Sequence, residues 1–154
     1  GIGREFGTAL NKAYSAAGVE INNKEKGIFV TLSDDKKSNF LDTIKKYIEL
    51  EFTVYSTQGT GKFLKSKGID SIIVGKANDT GQTSLSIIDE KLVSLVINTP
   101  TYANELTDGW KIRRLSHETG VAVVSSVREA DAFIEAFLKR NSVLEDMDAI
   151  QNVS

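Results

Sequence analysis

Residues 27–57 read GIFVTLSDDKKSNFLDTIKKYIELEFTVYST, and they alternate between apolar runs of two different periods. Residues 28–32 form a short β-rich run bounded by Gly27 and Ser33, which is typical of a strand. An apolar stripe then recurs at helical spacing; it comprises Phe40, Leu41, Ile44, Tyr47 and Ile48. Residues 52–55 are again apolar and β-rich. The stretch therefore predicts a strand, a helix and a second strand.

The same alternation continues toward residue 140. Further strands are predicted at 71–74, 95–97 and 121–124, and further helices at 60–67, 84–92, 108–119 and 128–140. Gly68 and Gly120 are good left-handed stops for two of these helices. Five short aliphatic strands, each followed by a helix, require parallel pairing through right-handed crossovers that cover both faces of the sheet. The predicted fold class is α/β, a three-layer α/β/α sandwich with a five-stranded parallel sheet.

Composition narrows the possible functions. The 154 residues suit one domain with a real core. The absence of Cys excludes disulfides and thiolate catalysis, and the one His, His117, leaves no standard zinc set. A formal charge of −2 gives no basic footprint for nucleic acid. Because no window has the length and apolarity of a membrane span or a signal peptide, we expect a soluble cytoplasmic protein without membrane or nucleic-acid partners.

Polar side chains and cations cluster in the loops after the predicted strands, where ligands bind in open parallel sheets. The loop after the first strand carries Lys36 and Lys37, with Asp34 and Asp35 as candidate helix caps. The loop at 56–61, STQGTG, offers hydroxyls, glycines and backbone N–H groups at a helix start, which could hold a phosphate. An ordinary Thr-capped turn would have a similar sequence.

Further donors follow the third and fourth strands. Lys76 ends the third strand, Asn98 and Thr99 follow the fourth, and Asp108 is a candidate N-cap of the next helix. Each alone also fits a solvated or turn residue. Together, lysines and hydroxyls at one edge suit a phosphate monoester dianion, with micromolar binding at about −8 kcal/mol. No nucleophile and base pair accompanies them, and His117 within a predicted helix favours a structural role.

Several motifs resemble those of one known family. Residues 56–60 (STQGT), 95–99 (LVINT) and 108–114 (DGWKIRR) resemble successive signatures of the methylglyoxal-synthase-like domain, the C-terminal regulatory domain of carbamoyl phosphate synthetase large subunits. Residues 1–10, GIGREFGTAL, resemble the end of the synthetase core before it. The resemblance implies sheet order 3-2-1-4-5. With it, the chain is expected to divide into a helix and linker at 1–24, the regulatory domain at 25–140, and a tail at 141–154 whose polar composition predicts fraying.

The resemblance implies an allosteric site for a nucleotide effector. It places phosphate contacts on Lys37, Thr57, Thr60 and Lys76, sugar contacts on Asn98 and Thr99, and further pocket residues on Asp108 and Ile112. One alignment gap would select Lys36 in place of Lys37. The family's effectors include UMP, IMP and other purine nucleotides, phosphoribosyl pyrophosphate and, in urea-cycle relatives, N-acetylglutamate. Because both lysines are retained, a phosphorylated effector is favoured, with UMP first.

The resemblance also implies what surrounds this domain. The fragment itself would perform no chemistry and need no cofactor or metal. The parent would be an ATP- and Mg-dependent, glutamine-hydrolysing ligase for pyrimidine and arginine biosynthesis. Its remaining large-subunit domains and a glutaminase small subunit would be the protein partners.

Two other classes share the predicted alternation. Methylglyoxal synthase, which acts on dihydroxyacetone phosphate, has Gly-Gly-Asp-Gln-Gln after its third strand; the corresponding DTGQT at 79–83 would need a two-residue shift to make Asp79 the base. That enzyme's histidine is also missing here. A phosphoreceiver domain would need an acceptor Asp where Gly75-Lys76 stands and a Lys where Ser125-Ser126 stands, so it would have to be degenerate.

Overall fold

The computed structural model describes residues 27–76, 79–99 and 109–153. The predicted helix and linker at 1–24 lie outside them. The strands are β1 Gly27–Thr31, β2 Thr53–Ser56, β3 Ile72–Ile73, β4 Val93–Asn98 and β5 Ala122–Val124. The α-helices are α1 Leu41–Glu49, α2 Gln58–Ser66, α3 Ser84–Asp89, α4 Trp110–Thr119 and α5 Val127–Val153, and a 3₁₀ helix, Lys37–Phe40, precedes α1.

The five strands form one parallel sheet in the order β3-β2-β1-β4-β5, which confirms the predicted architecture and order. Val30 of β1 pairs with Ser56 of β2 on one side and with Ile97 of β4 on the other. The carboxyl ends of these three strands therefore lie side by side. The chain leaves β1 toward β2 but later enters β4 on the other side, so the crevice between β1 and β4 is the topological switch point where ligands bind.

The core has two apolar layers, one on each face of the sheet. Ile28 and Val30 lie in the layer that contains Phe133 of α5, whereas Phe29 between them lies in the layer that contains Ile87 of α3. Successive strand side chains point to opposite faces, so a strand covered on both faces is apolar throughout. This explains why residues 28–30 read as an unbroken apolar run. Their complete burial anchors the loop that follows β1.

Two of the predicted helix ends are confirmed by backbone geometry. Gly68, with φ +79°, follows the last turn of α2, and Gly120, with φ +76°, ends α4. Both lie in the left-handed region that glycine adopts without a Cβ penalty. Both helices therefore stop where the sequence indicates.

The sheet edge and the last helix differ from the prediction. β3 has two residues instead of four, and its side chains are 45% and 52% exposed at Ile72 and Ile73. The expected cover by helices on both faces is therefore incomplete at this edge strand. α5 continues past the predicted end at Arg140 to Val153, so the segment expected to be frayed is mostly helical. No helix in the described ranges is long and apolar enough to cross a membrane.

Candidate functional site

A cavity of about 680 Å³ opens at the carboxyl edge of the sheet. Loops after β1, β2, β3 and β4 and the first turn of α4 line it, and its volume lies in the range of about 300–1,000 Å³ typical of small-molecule sites. The predicted site residues that line it are Lys37, Thr57, Thr60, Lys76, Asn98, Thr99 and Ile112. Lys36 is exposed and is not part of the lining, and Asp108 lies outside the described residues.

The amino end of α2 faces this cavity. Thr57, at the N-cap, has extended backbone geometry, but no side chain caps the first-turn N–H groups. Gly59, in that first turn, lines the cavity, and a Cβ on it would lie 3.6 Å from the Lys37 Nζ. Uncapped N–H groups and the positive end of the helix dipole attract anions. The start of α2 and the Lys37 ammonium together therefore provide a cationic subsite with room for a ligand atom beside Gly59.

Thr57 and Thr60 form a hydroxyl pair at the floor of this subsite. The Thr60 Oγ1 accepts hydrogen bonds from the Leu32 N–H at 3.1 Å and from the Thr57 hydroxyl at 3.2 Å. Thr60 is buried, and accepting both bonds leaves its own hydroxyl proton available for an anion. The Leu32 bond also ties the β1 loop to α2. The two loops predicted to bind phosphate are thus joined directly.

Lys37 already has a carboxylate partner. Its Nζ donates to the Asp34 Oδ1 at 2.5 Å; the Lys37 side chain is 15% exposed, whereas that of Asp34 is 96% exposed. The hydrogen bond from Lys37, reinforced by its charge, lowers the pKa of the Asp34 carboxyl below its ordinary value. The interpretation of Asp34 and Asp35 as caps is wrong, because no side chain caps the 3₁₀ helix that begins at Lys37.

Lys76 lies at the rim of the cavity in a tight turn. Its backbone N–H donates to the Asp79 Oδ2 at 2.9 Å, and its carbonyl accepts from the Asp79 N–H at 3.0 Å. A Cβ on Gly75 would lie 2.9 Å from the same carboxylate oxygen, so glycine there lets Asp79 fold against the strand end. The Lys76 side chain is exposed. Asp79, in the polar stretch that follows the third strand, also lines the cavity.

Asn98 and Thr99 differ in their hydrogen bonding. The Thr99 hydroxyl accepts from the Ser33 N–H at 2.7 Å and donates to the Ser33 Oγ at 3.3 Å, so it joins the loops after β1 and β4. Asn98 is 5% exposed, and its Nδ2 has no hydrogen-bond partner among the described residues. A buried amide without a partner costs about 1–3 kcal/mol. An acceptor atom on a ligand in this cavity would remove that cost.

Sequence reasoning missed two cations of the cavity wall. Lys62 of α2 and Arg113 of α4 line it. The described lining residues thus include four cationic side chains, the other two being Lys37 and Lys76. The two carboxylates among them are Asp34 and Asp79, so the formal charge of the lining is +2. Arg113 could have been predicted because it directly follows Ile112, a predicted pocket residue. No feature of the sequence points to Lys62.

His117 is exposed in the last turn of α4 and is not a lining residue.

The fold and the cavity define an open-sheet α/β/α domain with a cationic ligand cavity at its switch point. The chain belongs to the MGS-like domain family, whose family model matches residues 39–125. The matched region contains β2, β3, β4 and β5, and with them the Thr57, Lys76 and Asn98 loops.

Similar curated proteins come from bacteria and an archaeon. The carbamoyl phosphate synthase large chain of Clostridium acetobutylicum is 34% identical over 137 residues, which are 88% of this chain and 12% of that protein. The C-terminal section from Methanocaldococcus jannaschii is 32% identical over 137 residues, 88% of this chain and 22% of that protein. The one from Aquifex aeolicus is 33% identical over 147 residues, 95% of this chain and 27% of that protein. The chain thus spans between 12% and 27% of these relatives.

Proposed function

We propose that this chain is the effector-binding regulatory domain of a carbamoyl phosphate synthase large chain, and that its cavity binds a phosphorylated nucleotide. The observation that carries the proposal is that Lys37, Thr57, Thr60 and Lys76 line one cavity, which the uncapped start of α2 also lines. Charge-assisted hydrogen bonds contribute about 1.5–3 kcal/mol each, so this donor set supports binding of a phosphate dianion.

The rest of the cavity suits the nucleoside part of such an effector. Asn98 supplies a buried amide without a partner, and Ile112 supplies an apolar wall. These two residues would contact the sugar and base, while Thr99 holds the neighbouring loops in place through Ser33. UMP is the first candidate, ahead of IMP and phosphoribosyl pyrophosphate. N-acetylglutamate ranks last because it lacks a phosphate for the lysines.

Regulation would follow from differential affinity. An effector changes activity only if it binds more tightly to one arrangement of this domain against the rest of the large chain, and such coupling is typically about 1–3 kcal/mol. An activator and an inhibitor could compete for the same phosphate subsite, and their effects would differ because each favours a different arrangement. The catalytic chemistry, with ATP, Mg and a glutaminase partner, would belong to the parts of the enzyme outside this domain.

Calorimetric titration with UMP, IMP, phosphoribosyl pyrophosphate and N-acetylglutamate tests the site. Lys76→Ala removes an ammonium at the rim without touching the core, so we expect phosphorylated ligands to bind about 1.5–3 kcal/mol more weakly while the fold is retained. Lys65→Ala is the matched control, because Lys65 is an exposed lysine of α2 that does not line the cavity. Equal affinities for both variants would remove Lys76 from the phosphate site, and the absence of saturable binding by every phosphorylated ligand would contradict the proposal.

One observation favours a catalytic alternative. The Asp79 carboxylate lies in the same cavity as the cations, where a methylglyoxal synthase would need its base. Its Oδ2 accepts the Lys76 N–H, however, so this carboxylate is already part of a turn. Incubation of the domain with dihydroxyacetone phosphate decides between the two: formation of methylglyoxal that is lost in Asp79→Asn would establish the enzyme and overturn a purely regulatory role.

A further inference from the structure

Asp34 lies at the mouth of the cavity and has one partner among the described residues. Its Oδ1 accepts from the Lys37 Nζ at 2.5 Å, while 96% of its side chain is exposed. The Lys37 side chain is 15% exposed and reaches the wall beside Gly59. The pair therefore joins a lysine that is enclosed in the cavity wall to a carboxylate that water surrounds.

The two carboxylates of the cavity are held in different ways. Asp79 belongs to the turn at 76–79, in which both its backbone and its Oδ2 are hydrogen-bonded to Lys76. Asp34 has no such backbone bond to its carboxylate in the part of the chain that the structure describes. Rotation of its side chain would break the contact with Lys37 and leave the loop unchanged. Asp34 is thus the carboxylate that can leave the cavity.

The electrostatic setting gives Asp34 a role in the empty cavity. The Lys37 ammonium lies beside the positive end of the α2 dipole, and like charges at such a spacing are unfavourable. The Asp34 carboxylate offsets this by pairing with the ammonium. An oxyanion seated between Lys37 and the start of α2 would use the same ammonium. It would then lie within a few ångströms of the Asp34 carboxylate and be repelled by it.

We propose that Asp34 is a built-in counterion that competes with the ligand for Lys37 and thereby sets the affinity of the anion subsite. This inference rests on the proposed function, because it assumes that an oxyanion binds at Lys37. The ligand must displace the carboxylate, which rotates into solvent, and the affinity is lower than the cationic lining alone would give. Since Asp34 is exposed, screening keeps the penalty moderate, and its removal should tighten binding about three- to tenfold.

A positioning role for Asp34 would give the opposite result. If Asp34 held the Lys37 ammonium in the orientation that the ligand needs, its removal would weaken binding. Asp35 provides the matched control for both cases. It is the adjacent residue and carries the same charge, but it is exposed and does not line the cavity. Asp35→Asn changes the net charge of the domain by the same amount as Asp34→Asn without touching Lys37.

The experiment is a titration with inorganic phosphate, followed by NMR or calorimetry at pH 8 and constant ionic strength of about 0.1 M, where distant charges are largely screened. The wild-type domain, Asp34→Asn, Asp34→Ser and Asp35→Asn are compared, and thermal unfolding verifies that each is folded. We expect about three- to tenfold tighter binding by both Asp34 variants and less than a twofold change in Asp35→Asn.

Each other result overturns a defined statement. If the wild type binds phosphate but the Asp34 variants bind no more tightly than Asp35→Asn, the counterion role is wrong and the phosphate site remains. If they bind more weakly than the wild type, Asp34 positions Lys37 and does not compete. If the wild type shows no saturable phosphate binding, the proposed function fails, and the counterion role fails with it.

Discussion

Gly61 is the residue on which the approach of α2 to the sheet depends. A Cβ at this position would lie 2.7 Å from the Ser56 Oγ and 2.8 Å from the Ile73 Cγ1. Gly61→Ala therefore overpacks the contact between α2 and strands β2 and β3, and we expect it to lower the free energy of unfolding by about 1–3 kcal/mol. Urea denaturation at neutral pH measures the loss.

Gly59→Ala is the control for this prediction. Gly59 lies in the same helix, but its Cβ would make only an ordinary contact with the end of Lys37, at 3.6 Å. Alanine has a better helix propensity than glycine by about 1 kcal/mol, so Gly59→Ala should leave stability unchanged or raise it slightly. If both variants lost the same free energy of unfolding, the cause would be the effect of alanine on the helix itself and not the packing of Gly61.

At the residue scale, the sequence identified donors better than it identified their partners. Most of the predicted site residues line one cavity, because the carboxyl ends of parallel strands must meet at one edge. The choice between Lys36 and Lys37 stayed open because it depended on an alignment gap, and the structure places Lys37 in the wall. The spacing could not predict the pairing of Asp34 with Lys37, because a carboxylate just before a helix is equally typical of an N-cap.

α3 is a short helix that depends on its amino-terminal cap. The Thr83 Oγ1 accepts from the Ser86 N–H at 3.1 Å, and the Ser86 Oγ accepts from the Thr83 N–H at 2.8 Å, which completes a capping box. Thr83→Ala removes one half of it, and we expect a loss of about 1 kcal/mol in the free energy of unfolding. Chemical denaturation followed by circular dichroism measures it.

Thr83→Ser separates the hydroxyl from the methyl group. Serine keeps the capping oxygen and loses only a methyl, so most of the stability should be retained if the cap is responsible. Thr83 is 6% exposed, and an equal loss in both variants would attribute the effect to packing of the methyl group instead.

At the element scale, existence and order were predictable, whereas lengths were not. Each apolar run became a strand because helices cover both faces of the central strands. β3 is shorter than its apolar run because it pairs only with β2, and nothing in the described residues pairs with its other edge. α5 exceeds its prediction because residues 141–153 lack the Gly or Pro that would end a helix, although they are polar.

The whole domain is joined at its cavity by contacts between loops that are distant in sequence. The Leu32 N–H bonds to Thr60 of α2, and the Ser33 N–H bonds to Thr99, so the loop after β1 is tied to α2 and to the loop after β4. A phosphate ligand that also contacts Lys76 would add a tie to the β3 loop. Ligand binding should therefore stabilise the fold as a unit and not one loop alone.

This predicts a thermal shift that depends on Lys76. A ligand at a hundred times its dissociation constant stabilises the folded state by about 2.7 kcal/mol. For a domain of this size each kcal/mol raises the melting temperature by roughly 2–4 °C, so saturating phosphate should raise it by about 5–10 °C. At the same phosphate concentration Lys76→Ala should show a clearly smaller rise, because its affinity is lower.

Chloride at matched ionic strength serves as the reference for general salt effects. An equal rise in the wild type and in Lys76→Ala would mean that phosphate acts on the folded state through general ion effects, and the tie between the β3 loop and the cavity would then have no energetic role.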